Sequence, residues 1–331
     1  MKAAFLEKTG GPEVIQYGDL PTPTPGNGEV RVRVAAVAVN PIDTYVRAGI
    51  VSMSLPKPFI PGCDLAGVVD LAGPGVTRFE VGDRVWGSNQ GLLGRQGTFA
   101  EYACVREEFL YPTPPGIADT DAAAVALTGI TAHLGLCRCA KLLPGETVFV
   151  QGGTGGVGSM VVQMAKAVGA RAIATVGSAE NAKVCKSLGA DLVLNYKSDD
   201  VPVAVKAFTN GQGVNVWFET QSEHDFVRTV DLTAKRGRII VMAGRQARPV
   251  FPVGPFYTRD ISLFGFAMFN ATPDEQHVCA ADMDRWLQEK KLKPVIGRTF
   301  HLSEAAAAHR LQEENTVHKH GSLSGKIVLT P

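Results

Sequence analysis

The stretch that decides the fold is Thr147–Ala170, "TVFVQGGTGGVGSMVVQMAKAVGA". A short apolar run precedes Gly153-x-Gly155-x-x-Gly158, and an apolar helical segment follows it, which is the context that makes this spacing informative. The first Gly allows a tight turn, the second lets the backbone approach a pyrophosphate, and the third allows close packing of helix and strand. Helix N-terminal N–H groups attract phosphates. The alternative is a glycine-rich turn without a ligand. The predicted loop comprises Gly153, Thr154, Gly155, Gly156, Val157 and Gly158.

Apolar strands alternate with helical segments on the C-terminal side of this loop. The strands are "RAIATVG", "DLVLNY", "GVNVWFET" and "RIIVMAG", and the helices between them include "SAENAKVCKSLGA", "DVPVAVKAFT" and "HDFVRTVDLTAKRG". This alternation predicts parallel βαβ units covered on both faces, a doubly wound α/β domain. "DISLFGF" is a further strand, expected at the edge of that sheet.

The first third of the chain has a different pattern. "EVRVRVAAVAV", "DLAGVVDLAG", "GDRVWG" and "TFAEYACV" are short strands separated by Gly, Pro and Asn, which predict an antiparallel barrel or sandwich. The closing strand "SGKIVLTP" returns the chain to that domain. We expect a β-rich domain over residues 1–122 and 268–331, interrupted by a dinucleotide-binding domain over 123–267.

Composition excludes several classes of function. The chain has 331 residues, with 33 Lys+Arg against 32 Asp+Glu, and a charge of +1 indicates neither nucleic acid nor an anionic membrane as the main partner. No apolar run reaches the length of a membrane span and no signal peptide is evident, so a cytoplasmic protein is expected. The six cysteines form no CxxC, and Cys137 and Cys139 are expected to be buried thiols. His318 and His320 are expected in a solvated loop.

The end of the second strand of the α/β domain bears on cofactor choice. NAD sites usually carry an acidic residue there for the ribose hydroxyls. This strand ends with Gly177 and Ser178 instead, and Lys183 follows five positions after Ser178. A small hydroxyl residue and a nearby cation favour a 2′-phosphate, so the sequence favours NADPH. Glu180 argues the other way, although it also suits a helix N-terminus.

Taken together, these motifs resemble the medium-chain dehydrogenase/reductase superfamily over essentially the whole chain. The resemblance is greatest to its zinc-independent quinone oxidoreductases, the group that includes ζ-crystallin. It rests on "EVRVRVAAVAVNPIDTYVRAG", "FIPGCDLAGVVDLAGPGVTRFEVGDRVWG", "GTFAEYACV", "ALTGITAHLGL" and the glycine loop. It implies a Rossmann domain inserted into a GroES-like barrel domain, and a homodimer formed through the edge strand near Ile261–Phe266.

The resemblance also bears on metal content. Zinc-dependent relatives place a Cys, a His and a Cys where this chain has Asn40, Cys63 and Leu127, and the region matching their structural-zinc lobe has no cysteine. Three protein ligands are the minimum for catalytic zinc, so we predict no metal. Cys63 is expected to be a packed thiol beside the site.

Without a Lewis acid, a carbonyl must be polarised by hydrogen bonds. The resemblance places Asn40, Asp43, Tyr45 and Thr128 around the nicotinamide. The Asn40 amide is expected to donate to a substrate oxygen, and Asp43 to orient its neighbours or the ribose. Thr128 is expected to bind the cofactor carboxamide. Tyr45 either supplies a proton or only forms a wall, and both interpretations stay open.

On the cofactor side, the resemblance adds residues outside the glycine loop and exposes departures from the common pattern. Asn181 stands where close relatives usually have a Lys that faces the 2′-phosphate, and the chain reads "ETQSE" where relatives commonly read D-x-V-G. Basic residues near the last strand, His318, Lys319, His320 and Lys326, are further candidates for that phosphate. The full predicted set beyond the loop and Thr128 is Asn40, Gly177, Ser178, Asn181, Lys183, Tyr196, Gly244, Arg245 and Lys326.

Three functions follow from these observations. The first is NADPH-dependent reduction of small quinones by hydride transfer without zinc. The second is reduction of activated C=C bonds in alkenals, enones or enoyl thioesters, and Arg47, Arg245 and Arg259 keep a thioester possible. The third is a binding or structural role, as in ζ-crystallin relatives. The intact cofactor glycines favour an enzyme.

Overall fold

A computed structural model describes residues 1–317 and 323–331 of the chain. Two compact units divide it. The first comprises Met1–Leu127, Ala271–Gln288 and Pro294–Pro331, and the second comprises Thr128–Asn270 and Glu289–Lys293. The second unit is therefore an insertion in the first.

Strands dominate the first third of the chain and alternate with helices after it. In chain order the strands are β1 (Lys2–Phe5), β2 (Gln16–Asp19), β3 (Glu29–Val39), β4 (Leu65–Ala72), β5 (Arg84–Gly87), β6 (Tyr102–Arg106), β7 (Leu110–Pro112), β8 (Thr147–Val150), β9 (Arg171–Val176), β10 (Leu192–Asn195), β11 (Val214–Glu219), β12 (Thr233–Val241), β13 (Ser262–Gly265), β14 (Ile296–His301) and β15 (Lys326–Thr330). The α-helices are α1 (Pro41–Arg47), α2 (Asp119–His133), α3 (Gly156–Val168), α4 (Ala179–Ser187), α5 (Val201–Phe208), α6 (Phe226–Leu232), α7 (Val253–Tyr257), α8 (Pro273–Gln288) and α9 (Ala305–Thr316).

The first unit is organised around β3. Its main sheet has the order β14-β15-β3-β4-β5-β7, and β6, which is outside this order, also pairs with β3. Alternate residues of β3, Val30, Val32 and Val34, are buried in the core, as its alternating sequence predicts. The closing strand β15 pairs antiparallel with the end of β3, with Ile327 opposite Val39. The chain end therefore returns to the strand that leads into α1.

A capping box fixes the junction between β3 and α1. The Asn40 backbone N–H donates to the Asp43 carboxylate at 2.7 Å, and Pro41 occupies the first helical turn. The Asp43 backbone N–H donates to the Asn40 backbone carbonyl at 3.0 Å, so the N–H groups at the start of the helix have partners. The polar residues that follow β3 are thereby placed on a helix with a defined start.

The second unit is built on a six-stranded sheet. Its order is β10-β9-β8-β11-β12-β13, and every adjacent pair in it is parallel. Phe149 and Trp217 stack in its core with ring centroids 4.0 Å apart. The doubly wound α/β domain inserted into a β-rich domain is confirmed. The segment predicted as an edge strand forms β13 at one edge of this sheet.

One predicted boundary in this unit is wrong. The sequence "HDFVRTVDLTAKRG" predicts a single helix, but α6 ends at Leu232 and β12 begins at Thr233. Thr233 pairs with Val214 of β11, and Arg236 adopts a φ of 60° before the regular part of the strand. Pairing with the sheet therefore overrides the helical preference of this segment.

Helix α2 corrects a second expectation. Among the described residues, one helical segment, α2 with the π-helical turn Leu134–Cys139 that continues it, is long and apolar enough to cross a membrane, although no such run was expected from the sequence. The apolar window of this helix is 78% buried within the protein. Burial of that extent is what a core helix requires, so the apolar composition has a source in packing.

Packing of α8 in the first unit generates a stability prediction. The Asp284 carboxylate accepts a hydrogen bond from the Trp86 indole at 3.0 Å, and burial raises the pKa of Asp284 to about 7. The folded state therefore holds a proton that the unfolded state releases near pH 4, and stability falls as pH rises between these values. We expect Asp284→Asn to stabilise the protein by about 2 kcal/mol at pH 8 and by little at pH 4.

Thermal unfolding at both pH values measures this effect. Asp282→Asn is the control, since Asp282 forms a surface ion pair with Arg285 on the same helix. An equal change at both pH values for Asp284→Asn would contradict the assignment of the buried proton.

Candidate active site

A buried carboxylate, Asp64, organises the polar residues of the first unit. It accepts hydrogen bonds from the Asn40 amide at 2.7 Å, the Ser88 hydroxyl at 2.7 Å and the Leu127 backbone N–H at 3.1 Å. Asp64 and Asn40 are fully buried. The sequence analysis missed Asp64 and Ser88, although Asp64 lies in the quoted motif "FIPGCDLAG". A charged residue inside a strongly apolar motif was the available signal.

Lys326 completes this cluster. Its ammonium donates to the Val39 carbonyl at 2.7 Å and to the Asn40 side-chain oxygen at 2.6 Å, and it lies 4.0 Å from the Asp64 carboxylate. Only 6% of Lys326 is exposed. The predicted contact of Lys326 with a 2′-phosphate would require its ammonium to leave these oxygens. The Asn40 amide is likewise bonded through both its nitrogen and its oxygen.

The charges in this cluster are unequal. Burial raises the pKa of Asp43 to about 7 and also raises the pKa of Asp64, while burial lowers the pKa of Lys326. Burial also raises the pKa of Cys63 well above its usual value, so Cys63 remains a thiol, and it hydrogen-bonds to Asp43. Two carboxyl groups thus share one ammonium, and low dielectric disfavours ionisation of the second.

Tyr45 lies one turn along α1 and is the most accessible of the three predicted catalytic residues. It is half-buried, whereas Asn40 and Asp43 are at most 3% exposed. Burial raises the pKa of its phenol, which hydrogen-bonds to Thr316 of α9. The neighbouring Arg47 is buried and forms an ion pair with Glu313, also on α9. These contacts fix the face of α1 that carries Tyr45.

The glycine loop of the second unit has the geometry that a phosphate cradle needs. Gly152 has a φ of 68°, and Gly153 donates its N–H to the Thr175 carbonyl at 2.9 Å, which ties the loop to β9. A Cβ on Gly158 would collide with the Gly152 carbonyl oxygen. A Cβ on Gly155 would meet only that same oxygen, at 3.3 Å. Gly155 caps α3 without a side-chain hydrogen bond and is exposed, and Gly156 in the first turn is half-buried.

The next turn of the unit places the residues predicted for the adenosine end together. Ser178 caps α4 by accepting a hydrogen bond from the Asn181 N–H at 3.2 Å. A Cβ on Gly177 would lie 2.6 Å from the Tyr196 hydroxyl, so Gly177 leaves room for that ring. Tyr196 is 58% exposed, and the Lys197 ammonium lies 5.9 Å from its ring centroid. Lys197 is a cation that the sequence analysis missed.

Charge at the start of α4 is mixed. The pKa of the exposed Glu180 is lowered, chiefly by a hydrogen bond from its own backbone N–H and then by the Ser178 hydroxyl and the charge of Lys183. Lys183 is exposed on α4. A phosphate bound here would therefore meet both a carboxylate and a cation.

The remaining predicted residues lie elsewhere in the described chain. Thr128 is buried in α2, while Gly244 follows β12 with a φ of 81° and the exposed Arg245 comes next. His318, Lys319 and His320 lie outside the described residues.

Another buried carboxylate, Glu219, ends β11. Its side chain accepts from the Gln221 N–H at 2.9 Å and from the Trp217 indole at 3.3 Å. It stands in the "ETQSE" segment that departs from the pattern of relatives. These internal bonds give it a structural role at the end of the strand.

Known proteins resemble both units of the chain. Residues 26–115 match the family described as the alcohol dehydrogenase GroES-like domain, and residues 156–287 match the family described as zinc-binding dehydrogenase. Human quinone oxidoreductase is 31% identical over 330 residues, covering 99% of this chain and 97% of that protein. The chain belongs to the quinone oxidoreductase family of the medium-chain dehydrogenase/reductase superfamily. A 2-haloacrylate reductase of a Burkholderia species is also 31% identical, covering 99% of this chain and 98% of that protein.

Solved structures agree with this family. A structure of an NAD-dependent alcohol dehydrogenase matches with a TM-score of 0.87 and 34% identity over the full length of both chains. Escherichia coli quinone oxidoreductase in complex with NADPH matches with a TM-score of 0.86 and 26% identity, also over both full lengths.

These relatives imply two bound groups, a dinucleotide and a zinc ion, and only the first fits the residues of this chain. The glycine loop and the start of α3, which has no side-chain cap, fit a dinucleotide pyrophosphate. A zinc ion does not fit: in residues 1–317 and 323–331, no three His, Cys, Asp or Glu side chains form a metal-binding group. Cys63 is a thiol bonded to Asp43, and the space beside Asn40 is filled by the Lys326 ammonium.

The loop geometry predicts the effect of a single methyl group. Gly158→Ala should weaken dinucleotide binding at least tenfold, because its Cβ would force α3 away from the Gly152 carbonyl. Isothermal titration with NADPH measures this loss. Gly254→Ala in α7 is the control, since a Cβ there meets nothing within 4 Å. Unchanged affinity in Gly158→Ala would exclude the loop as the pyrophosphate site.

Proposed function

We propose that this protein is an NADPH-dependent oxidoreductase that reduces small quinones by hydride transfer without a metal ion. The observation that carries the proposal is the cradle of Gly152, Gly155 and Gly158 at the start of α3, where Gly155 is exposed and provides no side-chain cap. Full-length similarity to human quinone oxidoreductase supports the same reaction. When bound, the cofactor supplies the hydride. The proposal that no metal ion takes part rests on the groups around Asn40, which bind the Lys326 ammonium.

The preference for NADPH rests on the start of α4. Ser178 offers a small hydroxyl residue where an acid would favour NAD, and Lys183 and Lys197 are exposed cations of the same region. Tyr196 provides an exposed aromatic face for the adenine. The complex of the Escherichia coli relative with NADPH supports this preference.

Tyr45 is our candidate for contact with the substrate. Its half-buried phenol carries a proton that its raised pKa retains at neutral pH. Asn40 has both ends of its amide engaged, so we assign it and Asp43 to holding the start of α1. Hydride transfer converts a quinone to a hydroquinone anion with an aromatic ring, and water can supply the proton that neutralises this anion.

A second candidate function is reduction of activated C=C bonds. The specific observation in its favour is the full-length similarity to a 2-haloacrylate reductase. An enone or acrylate needs a proton on carbon after the hydride arrives, so it places a greater demand on an acid such as Tyr45.

The assembly and location expected from the sequence belong to this proposal. β13 lies at an edge of its sheet with Leu263 40% exposed, and pairing with a second copy would cover that edge. A homodimer paired through β13 is therefore the assembly that we propose, and the cytoplasm is the location that the sequence led us to expect.

A panel of acceptors tests the reaction. NADPH and NADH oxidation would be followed at 340 nm with small quinones, enones, 2-haloacrylate and crotonyl-CoA. We expect quinones to give the highest kcat/KM and NADPH to exceed NADH by at least tenfold. Cofactor binding without oxidation by any acceptor would refute the enzyme, and a preference for NADH would refute the 2′-phosphate assignment.

Tyr45→Phe separates the two roles of the phenol. If Tyr45 is a proton donor, enone reduction should fall by about 10²-fold while quinone reduction changes by less than about threefold. Tyr17→Phe on β2 is the matched control. Equal rates with an enone for Tyr45→Phe and the wild-type protein would leave Tyr45 only as a wall.

A further inference from the structure

We propose that Lys326 is the resident cation of the site, and that its ammonium is a positioning group that holds the junction between β3 and α1. Nearby, zinc-dependent relatives would hold a metal ion, whereas this chain holds an ammonium between Val39, Asn40 and Asp64. The catalytic consequence rests on the proposed function. The structural consequence does not.

The bonding pattern of the ammonium supports this assignment. It donates to one backbone oxygen, that of Val39, and to one side-chain oxygen, that of Asn40. Both acceptors lie at the end of β3, immediately before the first residue of α1. Strand β15 delivers the lysine to this point, because Ile327 pairs with Val39. The position of Lys326 is therefore fixed by backbone pairing as well as by its charge.

The charge of the ammonium is as important as its hydrogen bonds. Asp64 is fully buried, and an uncompensated buried carboxylate is costly. In the part of the chain that the structure describes, the Lys326 ammonium is the cation that lies 4.0 Å from that carboxylate. Removing the ammonium would leave the Asp64 carboxylate without a neighbouring positive charge. It would also leave the Asn40 side-chain oxygen without its hydrogen-bond donor.

The connection to Tyr45 runs through the helix cap. The Asn40 side chain is held by Lys326 and Asp64, and the Asn40 backbone N–H donates to Asp43. This capping box fixes the first turn of α1, and Tyr45 lies on the second. Lys326 is 6% exposed and acts through Asn40 rather than on the substrate.

A double-mutant cycle separates positioning from charge balance. The variants are Lys326→Met, Asp64→Asn and the pair, with exposed Lys8→Met as the control. Lys326→Met should lower the Tm by about 10 °C, because it leaves a buried charge unpaired. The pair removes both charges and should recover at least half of that loss.

The activity of the pair is the decisive readout. In the pair, an Asn at position 64 has one oxygen, so it cannot accept from Asn40 on one side and from Ser88 and Leu127 on the other. The Val39 carbonyl also loses its ammonium partner. We expect kcat with a quinone to stay at least tenfold below wild type while the KM for NADPH changes less than about twofold. Hydrogen exchange of the amides in residues 40–47 should be faster in the pair than in the wild type.

Each other result has a defined meaning. Wild-type kcat and wild-type exchange in the pair would reduce Lys326 to charge balance and overturn the proposal. So would stoichiometric zinc in the purified wild-type protein, or a wild-type Tm for Lys326→Met. If the wild-type protein fails to oxidise NADPH with every acceptor tested, the proposed function is refuted. The Tm cycle and hydrogen exchange would still decide the role of Lys326.

Discussion

The first unit depends on the desolvation of one carboxylate, Asp64. A buried charge of this kind is tolerated only when several groups compensate it, and here three groups donate hydrogen bonds to it and one ammonium lies 4.0 Å away. They come from the end of β3, from the segment after β5, from α2 and from the start of β15. Segments distant in sequence therefore meet at one point, because the carboxylate must be satisfied. The polar residues of the site are arranged by this requirement.

An ammonium and a metal ion meet that requirement in different ways. Zinc collects three or four protein ligands and keeps a position open for substrate, so it can polarise a carbonyl directly. The Lys326 ammonium uses its hydrogen bonds on protein oxygens and is almost fully buried. It can stabilise the site without touching a substrate. Under the proposed function, a more exposed group must stabilise the developing negative charge, and our candidate is the half-buried Tyr45.

The sequence predicted local features better than distant ones. The turn and the close packing of helix and strand are predicted by three glycines within six positions, Gly153, Gly155 and Gly158. The doubly wound domain and its loop were therefore predictable. Alternation and turn residues predicted a β-rich first unit with antiparallel strands, although β14 and β15 pair in parallel. The contact of Lys326 with Asn40 was not predictable, because the two residues are 286 positions apart and no pattern sets which side chains meet at β3 and β15. The prediction of where α6 ends was wrong for the same reason, because pairing of the next strand with β11 sets that end.

Cofactor preference is the part of the site that local structure constrains least. The Ser178 hydroxyl already caps Asn181, and Glu180 adds a negative charge beside it. In the binding mode that we propose, exposed lysines hold the 2′-phosphate, and their solvated ammonium groups give modest energy and adapt to the ligand. The pyrophosphate, in contrast, meets backbone N–H groups that the glycines fix in place. Binding of a dinucleotide is thus set by the fold, whereas discrimination between NADPH and NADH depends on a few surface charges.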